Sequence, residues 1–204
     1  MNSGEFMNNY QARSPLDVLR SEWHWWIPGA VFSFLFASVS MSGWAAGLLP
    51  DLSHPYVYQG DGLSHSWMAL RAIEGWIFEN PRSGFPFGSS FLDYPGSDAG
   101  NLLLLKVFGK ITGQYHSALN IFFLFSFSTA FVASFCSLRA IGLASTLSVS
   151  ASLLFAFLSF HFQRIEHLFY LWYLVAPLFF YSCFRFYDST FDWPSKAIDK
   201  TGVL

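Results

Sequence analysis

Charge is scarce in this chain. Only 12% of its 204 residues are Asp, Glu, Lys or Arg, about half the roughly 25% of a soluble domain. There is no basic run to grip a phosphate backbone, and the formal net charge is −2, which argues against a nucleic-acid partner. Cysteine is scarcer still. Cys136 and Cys183 both fall in apolar stretches, so neither a disulfide framework nor a thiolate metal site is indicated. Internal repeats and low-complexity tracts are missing as well. What replaces charge is apolar and aromatic surface: 53% of residues are hydrophobic and 21% aromatic, including 25 Phe, 9 Tyr and 8 Trp. That is the composition of a membrane protein.

A bilayer core of about 30 Å takes roughly 20 apolar residues as a helix. Four stretches free of Asp, Glu, Lys and Arg meet that length or come close: 25–50, 111–138, 140–163 and 168–184. The first is too long for the apolar region of a signal peptide and has no small-residue cleavage site after a basic start, so it reads as a retained span. Only Arg139 separates the second and third stretches, and HFQRIEH joins the third to the fourth. Such short links force antiparallel neighbours. The fold class expected is an all-α membrane protein of about four transmembrane helices, with amphipathic interfacial helices in a long first outer loop. Its parts are a polar N-terminus (1–22) expected to lack order, a first span (23–50), the outer loop (51–112), spans two to four (113–186) and a polar tail (187–204). With the N-terminus in the cytoplasm, that side collects Arg13, Arg20, Arg139, Arg185, Lys196 and Lys200. The opposite side collects Arg71, Arg82, Lys106, Lys110 and Arg164. The balance favours this orientation by one residue.

The outer loop carries its own pattern. Leu63, Trp67, Leu70, Ile73 and Ile77 recur at intervals of three and four, which predicts an amphipathic helix lying in the interfacial plane and ended by Asn80-Pro81. A turn-rich segment, SGFPFGSSFLDYPGSD, follows. A second apolar helix, NLLLLKVFGKITG, then leads into span two, with Lys106 and Lys110 four apart and suited to lipid phosphates or to snorkelling.

Three polar features fall on one side of the membrane in this topology. Asp61 stands between two glycines in YQGDGL, where it is an N-cap candidate for the amphipathic helix, a catalytic candidate, or both. Asp93 and Asp98 lie in LDYPGSD, the first in a turn sequence and the second placed to cap the next helix. The third feature is HFQRIEH, in which His161, Arg164 and His167 are three apart and share a face on a continuous helix. Ionisable groups at membrane depth tend to face a cavity or a partner, and the Arg164 fork suits a phosphate. His161 and His167 with a carboxylate do not have the spacing of a known zinc site, so no metal site is assigned.

In this order, GDG followed by DYPGSD and then HFQRIEH, the chain resembles the N-terminal part of the GT-C superfamily of polytopic membrane glycosyltransferases, in an uncharacterised bacterial branch. Residues 25–186 carry the resemblance. It implies a protein of the bacterial inner membrane that transfers a hexosyl or pentosyl unit from a polyprenyl-phosphate-linked sugar to an acceptor at the outer face. It also implies Asp61 as general base on the acceptor hydroxyl, or as a ligand of a divalent cation such as magnesium or manganese shared with Asp93 and Asp98. Arg164, Lys106 or Lys110 would meet the charge of the leaving phosphate, and His161 and His167 would line the substrate site. GT-C enzymes usually have eight or more spans, whereas four are legible here. Two other expectations therefore stand beside the enzyme: a transporter or lipid-handling subunit with HFQRIEH along its path, and an inactive truncated fragment. The acceptor, the identity of the sugar and the oligomeric state are not legible in the residues.

Overall fold

The computed structural model describes residues 13–43, 47–75, 78–84, 86–90 and 98–190. The fold is all-α. Its helices in chain order are α1 (Pro15–Ser21), α2 (Trp23–Ser42), α3 (Asp61–Glu74), α4 (Ala99–Thr112), α5 (Tyr115–Ala140), α6 (Ser145–Ala156), α7 (Ser159–Gln163) and α8 (Val175–Thr190). A 3₁₀ segment, Ile165–Leu171, lies between α7 and α8. Two-residue strands β1 (Glu79–Asn80) and β2 (Ser89–Ser90) form an antiparallel ladder inside the turn-rich stretch.

Among the described residues, four helical segments are long and apolar enough to cross a membrane: Trp23–Ser42, Tyr115–Ala140, Ser145–Gln163 and Ile165–Tyr187. They coincide with the four expected spans, with their limits shifted. The first ends eight residues sooner than expected, and Gly43 follows at φ 78°. The second begins two residues later, because Gly113 in the left-handed region ends α4 and separates it from α5.

α5 is the axis of the molecule. In the most apolar window of α5, 72% of residues are buried inside the protein, against 22%, 22% and 11% for the other three spans. Phe123, Phe127, Phe131 and Phe135 recur every four residues along it and are all buried, a continuous aromatic ridge. The remaining elements surround that ridge. They leave Phe32, Phe36, Phe179, Phe180 and Phe186 facing outward while Ser33, Ser38, Ser148 and Ser152 are fully buried. Large apolar groups outside and small groups at helix contacts is the arrangement suited to lipid rather than water.

The last two spans are not continuous helices. Leu158, at φ −55° and ψ 141°, interrupts the third between α6 and α7. The fourth opens with the 3₁₀ segment, kinked at His167, and becomes α8 only after Trp172–Leu174. No proline or glycine lies at the first break, and Pro177 stands in the first turn of α8 just after the second. The short loop expected from HFQRIEH is therefore replaced by helical backbone that folds back into the protein.

Polar contacts pin both ends of α5. At the Tyr115 end, Asn120 accepts from the Tyr56 amide and donates to the Asp51 and His54 carbonyls, and Ser117 donates to Leu52. At the Ala140 end, Glu22 accepts a two-point contact from Arg139 at 2.7 Å and a further bond from Arg13 at 2.6 Å. The N-terminal stretch expected to lack order contains α1, with a Ser14–Asp17 capping box. Val18 of α1 is fully buried against the α5 ridge. At the other terminus, α8 continues to Thr190, beyond the expected limit of the last span.

The hydrogen bonds from Arg139, opposed by burial and helped by Arg13, bring the Glu22 carboxyl down from an ordinary 4.5 to about 2. A depressed carboxyl pKa gives stability that is present above pH 4.5 and is lost as pH falls toward 2. Glu22→Gln should cost about 3 kcal/mol by leaving Arg139 without its counter-ion. It should also flatten the acid limb of unfolding between about pH 5 and 2. Near-ultraviolet circular dichroism of the detergent-solubilised chain during denaturation checks both outcomes.

Candidate functional site

The GDG turn and the second half of HFQRIEH meet. Gly60 is the N-cap of α3, at φ 53°. A Cβ on Gly60 would stand 2.9 Å from Oε2 of Glu166, so the site needs glycine for its backbone angle and for the carboxylate that folds over it. Gly62 is needed for a different reason: a Cβ there would meet Val57 Cγ1 at 2.5 Å. Between the two glycines, Asp61 is the first residue of α3, and its side chain makes no capping bond. The N-cap expected of it is supplied by Gly60. The Asp61 carboxylate is 64% exposed and its Oδ2 lies 3.1 Å from Nε2 of His167. Beside this contact Gln59 Nε2 donates to Glu166 Oε1 at 2.9 Å. Two parallel side-chain clasps thus join a loop and a 3₁₀ segment that are 107 residues apart in sequence.

His65, one turn into α3, completes the cluster. Its ring packs edge-on to Phe169 at 4.8 Å. Burial holds its pKa below 6.5, against opposing pulls from the Glu166 backbone and Asp61. The Nδ1 atoms of His65 and His167 are buried without a hydrogen-bond partner. A small cleft lined by Tyr56, Gly62, Ser66, Asn120, Phe123 and Leu168 lies behind the start of α3. It has room for about one water molecule, so a sugar would have to reach Asp61 from the exposed side.

The other expected site residues have separate positions. Asp98 caps α4, accepting from the Asn101 amide at 3.2 Å. Asn101 in turn reaches the Phe169 carbonyl at 3.3 Å, which ties Asp98 to the segment carrying His167 without placing it on Asp61. Asp93 lies outside the described residues. Lys106 donates to the Gly75 carbonyl at the end of α3 and so closes that helix. Arg164 is exposed, with its guanidinium 5.5 Å from the centroid of the Phe160 ring.

His161 departs most from expectation. It does not share a face with Arg164 and His167, because the backbone changes form between them. It is fully buried and stacks on Phe127 at 3.7 Å with the rings 4° from parallel. Its Nδ1 lies 2.9 Å from the Ala156 carbonyl and 2.8 Å from the Tyr173 hydroxyl, and its Nε2 lies 2.7 Å from Ser126 Oγ. These bonds satisfy backbone freed by the break between α6 and α7. His161 is accordingly a core residue at the break, not a lining residue of the Asp61 cluster. Among the described residues no group of three His, Cys, Asp or Glu is placed to hold a metal ion, and no step is assigned to a cation.

Two members of the cluster, Gln59 and His65, carried no signal in the sequence. The glutamine stands in YQGDGL with no role assigned to it there, and the histidine falls off the apolar stripe of its helix. A GDG turn with a carboxylate folded over it is visible only when residues 60 and 166 are brought together.

No protein-family model, no curated protein and no solved structure matches the chain. The fold by itself defines a class, a multi-pass α-helical membrane protein, on the length and composition of four segments.

A histidine held neutral by burial gives stability that is present above pH 6.5 and is lost as pH falls below it. His65→Phe keeps the contact with Phe169 and removes the titration. The variant should lose less stability than the parent between pH 7 and 5, as measured by thermal unfolding in detergent.

Proposed function

We propose that this chain is the N-terminal portion of a GT-C-like glycosyltransferase of the bacterial inner membrane, with its N-terminus in the cytoplasm. It transfers a hexosyl or pentosyl unit from a polyprenyl-phosphate donor to an acceptor at the outer face. The observation that supports this reading is the exposed Asp61 carboxylate at the first turn of α3, held on one oxygen by His167. With Oδ2 facing His167, Oδ1 takes the proton of the acceptor hydroxyl as the new C1–O bond forms. The bond from C1 to the phosphate oxygen breaks, and the polyprenyl phosphate leaves with the electron pair. The end of α3 carrying Asp61 is the positive end of the helix dipole, which favours a carboxylate there. Arg164, exposed and three residues before His167, is the cation offered to the leaving phosphate.

A second reading has one observation in its favour. The third and fourth spans are both interrupted, at Leu158 and at Trp172–Leu174, around the same buried histidine. Discontinuous spans are common at the binding sites of transporters, so a transporter or lipid-handling subunit is the alternative function.

Asp61→Asn separates the two. In the reconstituted chain, supplied with polyprenyl-phosphate hexose and pentose donors and an acceptor hydroxyl, the variant should lose transfer by about 10²–10⁴-fold while inserting and unfolding like the parent. Unchanged transfer would remove Asp61 from the chemistry. On the transporter reading, Arg164→Glu should instead alter flux across proteoliposomes with no covalent product formed.

A further inference from the structure

The two helices of the long loop are turned the wrong way for water. α3 buries Gly62, Ser66, Ala69 and Ala72 against the rest of the protein. It leaves Leu63 and Trp67 outside, at 48% and 46% exposure. An aqueous helix does the reverse, putting its large apolar side chains inward. α4 is apolar on both sides. Leu102 and Leu105 are buried, while Leu103, Val107 and Ile111 form an outward stripe at spacings of four, 54%, 46% and 76% exposed. Lys106, which would have broken the apolar surface, is drawn to the Gly75 carbonyl. The two helices meet through a small residue, as Ile73 of α3 packs over Gly109 of α4. Small residues at the contact and large ones outside is how helices associate in lipid.

The level at which α4 is held identifies what covers these faces. Phe108 of α4 stacks on Phe125 of α5 at 5.6 Å, and Phe125 also meets Phe34 of α2 at 5.3 Å. Phe34 is the twelfth residue of the twenty-residue first span. α4 is therefore packed beside two spans well inside their ends, and its outward stripe continues their lipid-facing surface. We infer that α3 and α4 are immersed in one leaflet of the bilayer, with Leu63, Trp67, Leu103, Val107 and Ile111 in contact with acyl chains. An amphipathic segment of this kind lies about 5–10 Å into the boundary between headgroups and chains. Arg71, Glu74 and Arg82 pair with one another at the end of α3, and Lys110 is exposed in the last turn of α4, which supplies charge at the headgroup level. The inference rests on the four apolar segments being spans and is independent of any transfer reaction.

The test uses the full chain in phospholipid nanodiscs with Cys136→Ala and Cys183→Ser, carrying a nitroxide at one new cysteine at a time. The positions are Trp67→Cys, Leu103→Cys and Val107→Cys, with Phe179→Cys on α8 as the lipid reference and Glu79→Cys as the aqueous one. Collision of the nitroxide with oxygen should exceed collision with a water-soluble nickel chelate at 67, 103 and 107, by a ratio comparable to that at 179. The ratio should be inverted at 79. Nickel-dominated collision at 67, 103 and 107, with position 179 still lipid-like, overturns the inference and leaves the spans intact. Low collision with both reagents also overturns it, because protein, a second copy or another chain, would then cover the stripe. An aqueous signal at 179 as well overturns the span reading and the inference together.

Discussion

Two of the four apolar segments stop being regular helices partway along, and the packing around them depends on how the freed backbone is satisfied. In a water-poor interior an unpaired carbonyl costs several kcal/mol. His161 meets that demand by stacking flat on Phe127 and addressing the Ala156 carbonyl, the Tyr173 hydroxyl and Ser126. Tyr173, just before α8, also reaches the Phe155 carbonyl. One histidine therefore joins the end of α6, the start of α8 and the middle of α5. With the chain turned there, the 3₁₀ segment is free to run toward α3, and His167 arrives at Asp61.

The Asp61 cluster is thus a consequence of the break. A straight helix through HFQRIEH would carry His161, Arg164 and His167 on one face. The end of α7 at Arg164 and the kink at His167, with φ −114° and ψ 59°, separate them into a core residue, an exposed cation and a carboxylate partner. The same turn carries Glu166 over Gly60, where only glycine leaves room. Gln59–Glu166 and Asp61–His167 then hold the loop to the spans. Exposed polar contacts are worth little in isolation, so the clasp positions the loop more than it stabilises the fold.

Stability comes from the other end and from the ridge. Phenylalanines at every fourth position of α5 fill the space between helices, while Glu22 ties α1, α2 and α5 together through two arginines. Around the ridge another rule of packing holds: serine, alanine and glycine predominate at the contacts of α2, α3 and α6, with phenylalanine, leucine and tryptophan on the outside. The loop helix α3 shares it with two of the spans, which is why the loop reads as part of the membrane layer.

Read alone, the residues determined the number and order of the apolar segments, a short link between the second and third (expected at Arg139, found just after Ala140), the two loop helices and the cap at Asp98. All of these follow from local causes: runs without charge, apolar spacing, and side chains that bond their own backbone. Tertiary structure decided everything that depends on a distant partner. The stripe Leu63–Trp67–Leu70–Ile73 was legible, but which part of α3 is buried depended on what packs against it: Gly62, Ser66, Ala69 and Ala72 are buried, Leu63 and Trp67 face outward, and Ile73 packs on Gly109. The break at Leu158 was not legible because no proline or glycine marks it, while Pro177 in the first turn of α8 is a local mark of the break at Trp172–Leu174; at both, His161 and Tyr173 satisfy opened backbone from across the bundle. Asp61 was visible as a carboxylate at a helix start. That Gly60 makes the cap and leaves Asp61 to His167 was settled by contacts more than a hundred residues away, which no local pattern encodes.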